Sequence, residues 1–165
     1  MFIEKWKDTA FGSDYGADFQ SFLEEITSDK LTLKEVFKNC DLEKYLNNPE
    51  LLKERTDNNV QLTNSNFEQF VHYEDAVIAL CAIVAESEAN GSADLTLAYG
   101  NKVLIFDITK EEIMPLKNAL NYIHDNLDQF VLFEMLGEEE QAETLADIRE
   151  IIEQLQISSE RKQEL

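Results

Sequence analysis

The side chains able to do chemistry in this chain are few in kind. There are two histidines, His72 and His124, and two cysteines, Cys40 and Cys81. Neither histidine has a second one at the His-x3-His spacing that would set two imidazoles on one helix face for a metal. Each reads as a half-buried or surface helical residue. No glycine-rich phosphate loop occurs, and no nucleophile elbow surrounds a serine or cysteine. Carboxylates are plentiful, as in Glu74-Asp75, Glu111-Glu112 and Glu138-Glu139-Glu140. A solvated acidic helix face produces such pairs with no acid–base role. Asp14 and Asp18 are four apart, so on a helix they share a face and together could hold a cation. The competing reading is that Asp14 caps the helix and Asp18 complements its positive end. A carboxylate-based enzyme would have to draw on Asp14, Asp18 and His72. The sequence nominates no catalytic, cofactor-binding or metal-ligating residue beyond these, and no enzyme is expected.

Charge narrows the classes further. There are 34 acidic and 14 basic residues in 165, a formal net charge of −20. Such a surface repels phosphates, which excludes nucleic acid as a direct ligand. It equally disfavours anionic membranes. No run of about 20 apolar residues is present to span a bilayer. The opening Met1-Phe2-Ile3-Glu4-Lys5-Trp6 lacks the layout of a signal peptide. Two cysteines suit a reducing compartment, so a cytoplasmic location without a disulfide is expected. Cys81 lies in the most apolar run and reads as buried; Cys40, beside Asp41 near a helix end, could be exposed.

The elements that must position these residues are mostly helices. Five glycines and two prolines leave little material for turn-dense β architecture. Phe19, Phe22, Leu23 and Ile26 form an i, i+3, i+4, i+7 stripe behind a cap at Ser13 or Asp14. Thr32 and Glu35 have capping-box spacing ahead of Leu33, Val36 and Phe37. Asn48-Pro49 marks another start, and 56–64 reads as a loop. Ser65 and Glu68 open a helix over 68–89 whose residues Ala76 to Ala85 are apolar without a break. Too short to cross a bilayer, such a helix belongs at the centre of a core. Asn90-Gly91-Ser92 ends it. Alternation over 95–106 favours a small β-hairpin, with an irregular helix as the alternative. Pro115 marks the next helix start. A closing helix runs from Glu138 to about Gln156, followed by a polar tail at 158–165. The expectation is a mainly α single domain over 1–157, a helical bundle around one buried Ala-rich helix.

Trp6, Phe11, Asp14, Asp18 and Phe19 are spaced as in the bacterial domain-of-unknown-function family 4259, whose members open with Trp-Gly-x-Gly-x-Phe, then Asn-Asp, Ala and Asp-Phe. Lys7 and Thr9 replace the glycines here, and Ser13 the asparagine. Tyr73-Glu74-Asp75, with Ala79, Ala82, Ala85 and Asn90-Gly91, resembles the family's Ala-rich central helix, and 133–155 its acidic closing helix. The resemblance implies a small acidic cytoplasmic protein, similar in some relatives to immunity proteins of toxin systems, with the N-terminal motif structural. It carries no reaction and no cofactor.

Charge gives the same idea a physical form. Many secreted bacterial toxins are basic nucleases, and a compact acidic protein would meet one quickly. From 134 to 165 there are ten acids and three bases. Glu138, Glu139, Glu140, Glu143 and Asp147 cluster with no local base before Arg149, and are the candidate partner-binding residues. The bland reading is that −20 keeps an abundant protein soluble. The leading expectation is an immunity protein blocking a basic toxin. The alternative is a regulatory or scaffold domain with another protein partner.

Overall fold

The structure is a computed structural model, and it describes residues 22–26, 30–54, 73–97, 102–130 and 137–163. Its centre is helix α3, Tyr73–Asn90. Residues 22–26 are helical, with Phe22 and Leu23 buried. Helix α1, Leu33–Asn39, follows; the Thr32 side chain accepts from the Glu35 N–H, satisfying one of the free donors of the first turn. Helix α2, Glu43–Asn47, and a 3-10 stretch, Pro49–Glu54, complete the N-terminal part.

Ala76 to Ala85 of α3 are all at most 2% exposed, so the unbroken apolar run is surrounded on every side. The buried stripe Ile113, Leu116, Ala119, Leu120 and Ile123 of α4, Lys110–Asp125, covers one side. Ile148, Ile151 and Leu155 of α5, Glu138–Gln163, cover another. Each of these leucines and isoleucines contributes about 1.5–3 kcal/mol when fully buried. The small alanines of α3 let these neighbours approach its backbone. Helix α3 ends as the sequence indicates: Gly91 takes φ +84°, where a side chain would be strained, and its N–H donates to the Ser87 carbonyl.

Two short strands join the helices. β1, Ala93–Asp94, pairs antiparallel with β2, Val103–Leu104, which is the small hairpin expected over 95–106. Its first strand comes earlier than the alternation suggested. Leu95–Leu97 form a 3-10 turn instead, and the Asp94 carboxylate accepts from the Thr96 N–H and hydroxyl. Past β2 the chain stays extended, and Leu31 exchanges backbone hydrogen bonds with Ile105 and Asp107.

Three readings of the sequence are corrected. Helix α4 begins at Lys110, not at Pro115, because Thr109 and Glu112 form a reciprocal capping box. The stretch 158–165, read as a polar tail, is helical through Gln163. Its serines Ser158 and Ser159 are buried, and Lys162 Nζ donates to the Ile108 carbonyl at 2.8 Å while pairing with Glu88 at 3.2 Å. Cys40 is buried rather than exposed. The cap expected at Ser13 or Asp14, the loop at 56–64 and the capping box at Ser65 lie outside the described residues.

Helix direction follows from cross-helix contacts. Ser159 lies beside Met114, Lys117 donates to Gln156, and Arg149 donates to His124. Helices α4 and α5 therefore run antiparallel. The Lys162–Glu88 pair sets the end of α5 beside the end of α3, so those two run parallel.

Candidate functional site

The acids nominated from the sequence stand at the start of α5. Glu138, Glu139, Glu140 and Glu143 are exposed, and Asp147 is half-buried. Acids in the first turn also complement the positive end of the helix, which gives them a local structural use. Arg149 lies opposite His124 near the end of α4, so the cluster projects about 15 Å further along α5 at the usual rise per residue.

His124 is engaged on both ring nitrogens. Arg149 Nε donates to its Nε2 at 2.9 Å, and its Nδ1 lies 2.9 Å from the Asp125 carboxylate. The imidazole thus ties α4 to α5 through Arg149. Trp6, Phe11, Asp14, Asp18, Phe19 and His72 lie outside the described residues. Among the described residues there is no group of three or more His, Cys, Asp or Glu placed to hold a metal ion. Among them, too, no helix is long and apolar enough to cross a membrane.

Both cysteines are free thiols. Burial pushes Cys40 up to about 12, with the negative charge of Asp41 adding a little and the hydrogen bond at Leu42 pulling it back. Burial also raises Cys81, whose thiol points at the Leu116 carbonyl inside the core. Neither is a nucleophile near neutral pH. Glu74 and Glu86, on the central helix, are buried rather than part of a solvated face. Glu86 accepts from the Asn90 side chain at 2.6 Å.

The sequence reading missed a groove of about 300 Å³ between α1, α2 and the first turns of α4. Leu33, Phe37, Leu46 and Pro115 supply apolar surface; Glu43, Glu111, Glu112 and Lys34 supply charge. A neighbouring hollow of about 400 Å³ shares Phe37, Glu43 and Asn47 with it. The first groove is at the small end of the size range for ligand pockets. The elements that build it have local causes. The capping box at Thr109 and Glu112 starts α4 five residues before Pro115, which leaves the proline inside the helix on the groove wall. The cue was in the sequence: Thr109-Lys110-Glu111-Glu112 is itself a capping-box motif.

These observations define a strongly acidic, mainly α protein whose surface offers carboxylates and an apolar groove. Residues 2–155 match the family model described as Immunity protein 68, and the chain belongs to that family. The match carries the immunity-protein character that the motifs implied; it does not bear on family 4259. No curated protein and no solved structure matches the chain.

Proposed function

We propose that this protein is a cytoplasmic immunity protein that neutralises a cognate basic toxin by direct binding. Membership of the Immunity protein 68 family over residues 2–155 is the observation that carries this reading. Blocking by contact needs no bond to be made or broken, so no catalytic residue and no cofactor is assigned. The formal charge of −20 supports a basic partner, because complementary fields accelerate encounter and suppress wrong pairings. The exposed Glu138, Glu139, Glu140 and Glu143, with Asp147 behind them, are the proposed contributors on α5. Trp6, Phe11, Asp14, Asp18 and Phe19 are assigned a structural role, at and ahead of the first helix stripe.

The test is to look for a toxin gene directly upstream and to co-express its product with this protein. The wild-type protein is expected to restore growth and to form a complex whose association slows as salt rises. Reversal of Glu138, Glu139 and Glu140 to Lys is expected to slow association at low salt. Absence of both rescue and complex would defeat the proposal. A partner of acidic or neutral character would remove the electrostatic part and leave the binding part standing.

A further inference from the structure

Building on the toxin-binding reading, we infer that the groove between α1, α2 and the start of α4 receives one arginine side chain of the partner protein. Its size, about 300 Å³, suits a single long side chain. Its surface is divided as an arginine is divided. Phe37 and Pro115, both half-buried, offer apolar contact for the methylene stem. A guanidinium also stacks on an aromatic face such as that of Phe37.

The polar end is matched by acceptors. Glu43 and Glu111 are exposed at the groove. Among the described residues neither has an ion-pair partner. Glu112 is held by the capping box, where its side chain accepts from the Thr109 N–H. Proline has no N–H, so Pro115 cannot donate to the carbonyl of Glu111 four residues before it. That carbonyl therefore lacks its usual helical donor. Among the described residues, three carboxylates line the groove and Lys34 is its one cation. A planar fork of donors fits the Glu43 and Glu111 carboxylates better than a point charge does.

The experiment has two arms. In the first, the full-length ¹⁵N-labelled protein is titrated with N-butylguanidinium, with neutral N-butylurea and with guanidinium lacking the stem. Saturable shifts confined to α1, α2 and the first turns of α4 are expected for N-butylguanidinium alone, and they should vanish in the double variant Glu43→Lys, Glu111→Lys. Shifts spread over the acidic surface, no shifts, or equal binding of N-butylurea would overturn the inference. In the second arm the same double variant, its fold checked by circular dichroism, is measured against the toxin. An affinity loss of about 30-fold or more is expected, as for truncation of a desolvated charge pair. Wild-type affinity in that variant would overturn the groove assignment alone. Failure of the wild-type protein to bind toxin would instead defeat the functional reading, with the first arm still deciding the groove.

Discussion

Lys162 shows how far one side chain can act in this protein. It joins three elements: its own helix α5, the Ile108 carbonyl that leads into α4, and Glu88 on α3. Replacing it with Met keeps the stem and removes the charge. A loss of about 1–3 kcal/mol is expected, the usual range for a hydrogen bond to a charged group. Thermal denaturation should then fall by about 2–4 °C per kcal/mol for a chain of this size. An unchanged melting temperature would mean that the last turns of α5 contribute nothing to stability. Cys40 gives a pH prediction. Its thiol is raised from 9.0 to about 12 in the folded protein, so between those values the unfolded chain holds fewer protons. Its contribution is full below pH 9 and is lost as pH rises towards 12. Urea denaturation of wild type and Cys40→Ala from pH 8 to 11 should show the steeper decline in the wild type.

At the scale of elements, α4 carries a contradiction that the groove explains. Its first turn is well capped, yet Pro115 removes a hydrogen bond six residues into the helix. A proline inside a helix costs about 3 kcal/mol relative to alanine. Pro115→Ala is therefore expected to raise stability by about 1–3 kcal/mol in denaturant titrations. The same change restores a donor to the Glu111 carbonyl and takes apolar surface from the groove wall, so toxin affinity should fall as stability rises. Such opposition is common where a binding site holds strain. Affinity unchanged in Pro115→Ala would leave the proline without a role in binding. Helix α3 gives the opposite case. Leu80 is fully buried, and Leu80→Asp would place a charge there with no partner. That variant is expected to be insoluble or unfolded on expression.

Over the whole molecule the two acidic surfaces are far apart. The groove lies at the start of α4 and the Glu138–Glu140 cluster beyond its end, about 35 Å away along the antiparallel pair by helical rise. A standard interface covers about 800 Å² on each partner, a patch about 30 Å across. One centred on the groove does not reach the cluster. At physiological ionic strength the Debye length is about 8 Å, so the cluster steers a groove-bound partner only at low salt. Stopped-flow association should then separate them. Reversing the cluster is expected to lower the association rate at low salt and to leave dissociation unchanged. Reversing Glu43 and Glu111 is expected to speed dissociation at every salt concentration. A cluster variant that speeds dissociation instead would place the contact on α5.

Some of this was fixed by residue order alone. An apolar run from Ala76 to Ala85 has no polar face to turn to water, so only a central position can satisfy it. The stripe on α4, the stop at Gly91 and the cap at Thr32 are likewise local matters, decided by spacing and backbone chemistry. Immunity-protein character, though not the family number, was legible for a related reason, because motif spacing is a property of the chain itself. The groove was not, since Phe37, Glu43, Glu111 and Pro115 are spread over nearly eighty positions and meet only when α1 and α2 pack against α4. The end of α5 was hidden in the same way. Ser158, Ser159 and Lys162 are polar and read as a tail, yet they are held by Glu88, Ile108 and the core beneath. Polarity in a sequence tells what a residue prefers in isolation. Whether water or a partner satisfies it depends on which distant elements arrive beside it, and that is decided by tertiary packing.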